Sequence, residues 1–153
     1  MRLVVIRVSR ASITIDGQSG GAMGKGLLAL LGIRQGDTME DAEYLAKKVL
    51  GLRVFEDGAG KMNLALDDVE GAIMAVSNFT LYADCARGRR PDFFHAAKPD
   101  VAVPLYEHFI HCLRLSPVPV ITGEFGAEMQ IDHVNDGPVT LIMDTEQMLK
   151  KKN

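Results

Sequence analysis

The sequence predicts a one-domain α+β fold, a mainly antiparallel sheet packed by two principal helices. Three observations carry this. Short apolar runs rich in β-branched residues, punctuated by Gly, Pro, Asn and Asp, recur along most of the chain. Two stretches only place apolar residues at helical spacing. The connections between these segments are short, which favours antiparallel neighbours. At 153 residues, with 47% apolar and 24% charged side chains, the chain can bury one sizeable core. It has no internal repeat, no low-complexity segment and no linker.

Residues 3–16 are rich in Val, Ile, Ser and Thr. Leu3 and Val5 alternate with polar partners, and after a shift Ile13 and Ile15 do so again, which predicts one or two strands. Asp16-Gly17 and the glycines of 20–26 mark turns. Residues 27–33 form a continuous apolar run of buried-strand length, ended by Gly36. Asp37 or Thr38 can cap a helix whose first turn holds Glu40 and Asp41. Ala42, Leu45, Ala46, Val49 and Leu50 give its buried face, and Gly51 stops it.

Residues 53–56 and the turn Asp57-Gly58-Ala59-Gly60 read as a hairpin. A central strand over 72–76 runs into Ser77-Asn78-Phe79-Thr80, followed by a polar, irregular stretch over 83–91. The second helix is predicted over 104–113, with Pro104 in its first turn and Leu105, Phe109 and Cys112 on its apolar stripe. Pro117 and Pro119 end it. Three closing strands follow, over 118–122, 129–134 and 139–143.

No run approaches the ~18 apolar residues of a membrane helix, and the first residues alternate too soon for a signal peptide. A cytoplasmic protein that keeps off membranes is the expectation. Cys85 and Cys112 lack metal or redox spacing and read as free thiols. A net charge of -3 argues against coating nucleic acid through bulk charge, so any such contact is local. Arg87, Arg89 and Arg90 in one loop, and Lys150, Lys151 and Lys152 at the end, are the candidate basic clusters. For the terminal lysines a frayed, solvated tail is the favoured reading.

The sequence holds no G-x-S-x-G elbow, no H-E-x-x-H and no Walker loop. Of His95, His108, His111 and His133, only His108 and His111 are spaced to share a helix face, beside Cys112. A closed metal site needs further ligands, so no metal and no cofactor is expected. A Ser–His–acid triad stays open, although no motif ties a histidine to a nucleophile.

Two segments stand out. In Ser77-Asn78-Phe79-Thr80-Leu81 a buried strand ends in hydroxyls, an amide and free backbone N–H groups, which can hold an oxyanion or simply satisfy a polar strand end. Asn135-Asp136-Gly137-Pro138-Val139-Thr140 is a turn by composition, and trans is the default for its Gly–Pro bond.

Together they resemble the D-aminoacyl-tRNA deacylase family, which carries a Ser-Gln segment running to a Thr in mid-chain and an Asn-x-Gly-Pro-x-Thr segment near the end. The second is intact as Asn135, Gly137, Pro138 and Thr140. The first is present as Ser77, Asn78 and Thr80, with asparagine where the family has glutamine. Further similar stretches are Arg7-Val8-Ser9-Arg10-Ala11-Ser12, the residues of 26–32, Gly60-Lys61-Met62-Asn63-Leu64, Arg87-Gly88-x-Arg90-Pro91-x-Phe93 and Ala127-x-Met129-Gln130. The resemblance covers residues 1–144 and leaves 145–153 as a lysine-rich tail.

The resemblance implies a barrel-like core and a homodimer with its active sites at the subunit interface. It also implies cleavage of the ester joining a D-amino acid, or glycine, to the 3′ end of tRNA. The Gly137–Pro138 bond should be cis and enter the partner's pocket, where rigid carbonyls reject an L side chain. Arg7 would orient the Gly–Pro carbonyls, and amides around Phe79 and Thr80 would hold the oxyanion. Phe79 and Met129 would shape the pocket, and Arg87, Arg89 and Arg90 would meet the RNA end. Two alternatives remain: a related deacylase editing L-alanyl-tRNA, and a non-catalytic dimeric module that binds nucleic acid.

Overall fold

A computed structural model describes residues 1–150. Its order is β1 (Arg2–Ile15), β2 (Gln18–Met23), β3 (Gly26–Gly32), α1 (Met39–Leu50), β4 (Phe55–Glu56), β5 (Met62–Leu64), β6 (Ala72–Ser77), α2 (Pro99–Arg114), β7 (Val120–Thr122), β8 (Met129–Asp144) and α3 (Thr145–Lys150). A 3-10 turn, Phe79–Tyr82, follows β6.

β1 is the spine of the sheet. Along one edge it pairs first with β3 and then with β2, and along the other with β8, all antiparallel. The slip in apolar alternation between Val5 and Ile13 has a structural cause. The β1–β8 register shifts on both sides of Val8, so Arg7 and Val8 are buried in succession.

The antiparallel expectation fails on the other side of β3. β3–β6 and β6–β7 are parallel, giving a mixed, nearly barrel-shaped sheet in the order β2-β1-β3-β6-β7 with β8 on β1. The connections here are not short: α1 and the β4–β5 hairpin lie between β3 and β6, and α2 lies between β6 and β7. Such crossovers make parallel pairs possible. They also bury both faces of the central strands, which explains the unbroken apolar runs of β3 and β6. Leu27, Leu31, Ile73 and Ala75 join the core under α1 and α2, whereas Leu28, Met74 and Val76 join a second cluster with Val8, Ala11 and Ile13.

α1 begins as its sequence directs. The Thr38 side chain accepts from Asp41 N–H while the Asp41 side chain accepts from Thr38 N–H. α2 starts at Pro99, five residues before the predicted start, so Pro104 lies inside the helix on its exposed side. The lost backbone bond is tolerated because Ala102, Leu105, Tyr106, Phe109, Ile110 and Leu113 hold the opposite face in the core. Tyr106 Oη also donates to the Ala75 carbonyl of β6 at 2.9 Å.

Two of the predicted closing strands are one long strand, β8, interrupted by an outward loop. A third helix, α3, replaces the start of the expected tail. Asp144 accepts from Glu146 N–H at 2.9 Å, and Thr145 N–H donates to the Met1 carbonyl. The Met1 ammonium donates to Asp37 at 2.6 Å and Thr145 Oγ1 at 2.9 Å. The side chains of residues 150–152, the predicted basic tail, lie outside the described residues.

β3 and β6 approach so closely that a Cβ at Gly26 would sit 1.9 Å from the Ala72 carbonyl oxygen. Backbone blocks that position and cannot yield cheaply. Gly26→Ala should lower the unfolding free energy by more than about 3 kcal/mol, read by urea denaturation.

Candidate active site

Ser77 is the last residue of β6, half-buried and paired with Leu31. Asn78 N–H donates to the Leu31 carbonyl at 2.8 Å, after which the chain leaves the sheet. Leu81 N–H returns to the Asn78 carbonyl and closes the 3-10 turn. The amides of Phe79 and Thr80 open that turn and have no acceptor within it. Thr80 Oγ1 donates to Asn78 Oδ1 at 2.5 Å, so the shorter asparagine side chain is used locally. Phe79 is exposed and meets Phe93 edge to face, ring centroids 5.1 Å apart.

The turn is fixed from below. Arg2 Nη1 donates to the Leu81 carbonyl at 2.8 Å, its Nε pairs with Asp144 at 3.0 Å, and its guanidinium lies 4.8 Å from the centre of the Tyr82 ring. A Cβ at Gly32 would come within 2.9 Å of Leu81 Cβ, so glycine admits the turn. Burial first, then the Asp37 and Asp144 carboxylates, push the Tyr82 hydroxyl well above the usual phenol range. Tyr82 is therefore a neutral packing group, with no ability to act as a base near neutral pH. Arg2 had no sequence signal beyond its charge.

The second segment is the outward loop of β8. Thr140 pairs with Ile6 and Asn135 with Val8, so one residue of β1, Arg7, faces four of β8, residues 136–139. Asn135 ties the loop at both ends: Nδ2 donates to Thr140 Oγ1 at 2.8 Å, and Oδ1 accepts from Val139 N–H at 3.0 Å. The Gly137–Pro138 bond is cis. Gly137 has φ +132°, and a Cβ there would lie 2.8 Å from Val139 Cγ2 and 3.0 Å from Arg7 Nη2.

Arg7, 7% exposed, fills the space behind the loop. Its Nε donates to the Asp136 carbonyl at 3.0 Å and its Nη1 to the Val54 carbonyl at 2.7 Å. The expected contact with the carbonyls of the Gly–Pro pair is thus displaced by one residue. Arg7 grips the carbonyl that enters the dipeptide and bridges β8 to the segment before β4.

One chain does not bring these two segments together. The Leu81 carbonyl is held at Arg2, whereas the loop lies opposite Arg7. The two anchoring arginines are five residue steps apart, about 17 Å along β1. Met129 is elsewhere again, paired with Ile15 and packed on the second apolar cluster; a Cβ at Gly123 would lie 2.5 Å from its sulfur. Core packing accounts for it fully.

Arg87, Arg89 and Arg90 are exposed in a loop pinned by paired backbone bonds between Asp84 and Asp92, at 2.7 and 2.9 Å. Phe93 follows directly, which brings the basic loop beside Phe79. On α2, His108 Nε2 meets Glu43 at 2.9 Å, and the same nitrogen faces Cys112 at 3.8 Å. Burial, then Glu43, pushes the Cys112 thiol up, so it is not an activated nucleophile. Among the described residues no group of three or more His, Cys, Asp or Glu side chains is arranged to hold a metal.

Residues 4–144 match the model of the D-Tyr-tRNA(Tyr) deacylase family. The chain belongs to this family. A D-aminoacyl-tRNA deacylase of Geobacter sulfurreducens is 53% identical over 146 residues, covering 95% of this chain and 96% of that one. That of Bacillus velezensis is 54% identical over 147 residues, 96% of this chain and all of the relative. A solved structure described as a c-Myc DNA unwinding element binding protein superposes with TM-score 0.87 at 41% identity, over 94% of this chain and 98% of that one. A probable eukaryotic D-amino acid tRNA deacylase, TM-score 0.79 at 18% identity, shares the fold over 94% of this chain and 98% of its own.

For a deacylase-family chain built this way, Arg7 is a keystone independent of any chemistry. Arg7→Ala strips the donor from two carbonyls behind the loop. Unfolding free energy should fall by roughly 2–4 kcal/mol in urea titrations, and Arg7→Lys should recover only part of it.

Proposed function

We propose that this chain hydrolyses the ester of D-aminoacyl-tRNA, releasing the free D-amino acid and tRNA, and that glycyl-tRNA is accepted by the same site. Family membership supports the substrate class. The observation that carries the chemistry is the opening of the 3-10 turn. There two adjacent amides, of Phe79 and Thr80, find no acceptor among the described residues and lie at an exposed surface, and Ser77, Asn78 and Thr80 supply the neighbouring polar groups.

In this reading water attacks the ester carbonyl. The tetrahedral oxyanion is held by the two amides, which were aimed before the reaction and need no reorganisation. The C–O bond to the ribose then breaks, and the proton passes to the departing 3′ oxygen, with the ribose 2′-hydroxyl assisting. Among the described residues the Thr80 hydroxyl is paired with the Asn78 amide oxygen and with no basic side chain, so it is a poor nucleophile.

The Gly137–Pro138 loop completes the site in the neighbouring subunit of a homodimer. The loop and the turn are anchored at Arg7 and Arg2, ~17 Å apart along β1, which supports that arrangement, as does the loop's position on β8, which pairs with β1 alone among the described residues. Loop carbonyls set against Cα would admit hydrogen and exclude an L side chain, leaving the D side chain free to point outward. Arg7 and Asn135–Thr140 then act as positioning groups, and Arg87, Arg89 and Arg90 as contacts to the RNA end, while Met129 stays with the core. The protein works in the cytoplasm, where charged tRNA is found.

The structural neighbour described as a c-Myc DNA unwinding element binding protein keeps a second reading alive, a module that binds nucleic acid without turnover. Purified protein should be given D-tyrosyl-tRNA and L-tyrosyl-tRNA in the presence of a chelator. Rapid loss of the D ester alone is expected. Stability of both esters with retained RNA binding would replace hydrolysis by the binding module, and loss of L-alanyl-tRNA instead would point to L-alanine editing. Thr80→Ala should retain D-specific activity within about tenfold, since under ~1.4 kcal/mol of barrier rests on its hydroxyl. A dead Thr80→Ala enzyme with unchanged Tm would make Thr80 the nucleophile.

A further inference from the structure

Beside the turn lies an apolar feature that the reaction does not use. Phe94 is 74% exposed, yet both polar groups of its backbone are hydrogen-bonded. Its N–H donates to Asp92 Oδ1 at 2.6 Å and its carbonyl accepts from Gln35 Nε2 at 3.3 Å. On either side, Asp92 is paired with Asp84, and the His95 carbonyl accepts from Gln35 N–H. Phe94 also meets the His95 ring edge to face at 5.7 Å. A rigid backbone that presents a bare aromatic face to solvent forgoes burial and loses little entropy when a flat partner covers it.

The neighbours define that partner. Phe93, one Cα step of ~3.8 Å away, touches Phe79 at the opening of the 3-10 turn. Arg87, Arg89 and Arg90 crowd the same loop. Exposed aromatic rings interleaved with guanidinium groups fit a single-stranded nucleic acid, whose bases stack while its phosphates meet the cations. Resting on the reading that an RNA 3′ end enters at the turn, we propose that Phe94 is the stacking platform for the base preceding the terminal adenosine. It is a positioning residue that makes the enzyme read a strand rather than an isolated ester.

The chain contains no tryptophan, so Phe94→Trp installs a single indole at the platform. Titrating that variant with the trinucleotide C-C-A should quench its fluorescence saturably, with adenosine alone giving little change. Absence of quenching at saturating trinucleotide overturns the proposal. In turnover of D-tyrosyl-tRNA, Phe94→Ala should raise KM about tenfold, the scale of one lost base stack, with kcat and Tm unchanged. Phe94→Leu, apolar but without a π-face, should behave like Phe94→Ala. An unchanged KM in Phe94→Ala, or a raised KM with loss of the native assembly on size exclusion, would also overturn it. The quenching needs no catalysis, so an inactive wild-type protein that still shows it would sink the hydrolase reading and leave the platform standing.

Discussion

A buried guanidinium opposite a bulge organises this molecule. Arg7 is the one residue of β1 that faces four of β8, and the mismatch would open a hole between two strands if nothing filled it. The Val54 carbonyl would then be left buried without a donor, at a cost of about 1–3 kcal/mol, and the part-buried Asp136 carbonyl would lose its partner too. Arginine meets both because its planar fork offers donors in two directions with a fixed geometry. The same side chain thereby sets the height of the Gly137–Pro138 loop and ties it to the segment leading into β4. A second register shift follows between Val8 and Arg10, after which the ladder of β1 with β8 runs regularly to Ile15.

The 3-10 turn is held by an unrelated device at the other end of β1. Arg2 reaches from the strand to the Leu81 carbonyl and is itself anchored by Asp144, the last residue of β8. Two arginines on one strand therefore fix two loops, one by filling a gap and the other by crossing over the sheet. One loop belongs to β8 and the other follows β6, and each is tied by an arginine to the same central strand, β1, a stiff support because it is paired on both edges. A site assembled from backbone groups needs this stiffness, since carbonyls and amides cannot adjust by changing rotamer.

Much of this was legible in the sequence, for identifiable reasons. The Thr38–Asp41 cap, the helix over Ala42 to Leu50, the turn at Asp57-Gly58 and the strand before Ser77 each rest on local chemistry, and local chemistry is what a single sequence displays. The two motifs were legible only through their resemblance to a family, since their own chemistry read as a polar strand end and an ordinary turn. What was missed is non-local. Parallel pairing of β3 with β6 depends on where a 40-residue crossover returns the chain, and nothing in either strand records it. The unity of β8 was hidden because its loop carries turn residues that normally end a strand. Pro104 misplaced the start of α2 by assuming that a helix cannot absorb an internal proline, when six buried side chains on the far face outweigh one lost bond. Arg7 could be singled out by resemblance, but its partners could not: the carbonyl it holds is fixed by a register shift, which no spacing in the sequence reveals.

The separation of the two loops is informative about selectivity in the proposed reaction. If both lay in one chain, a site could close around its substrate by a small shift of either loop, and the rejection of an L side chain would weaken with every fluctuation. In the homodimer proposed above, loops anchored by separate arginines on one strand would meet across a symmetric contact between two copies, each loop facing the turn of the other. Discrimination then rests on a distance between two stiff bodies rather than on the conformation of one flexible pocket. The D side chain, pointing away from both, would go unread, so one enzyme could serve many amino acids. The terminal strand of RNA, with its rings and phosphates, is then the part of the substrate left for side chains to recognise, and the aromatic and basic residues of the 84–95 stretch are where this chain has them.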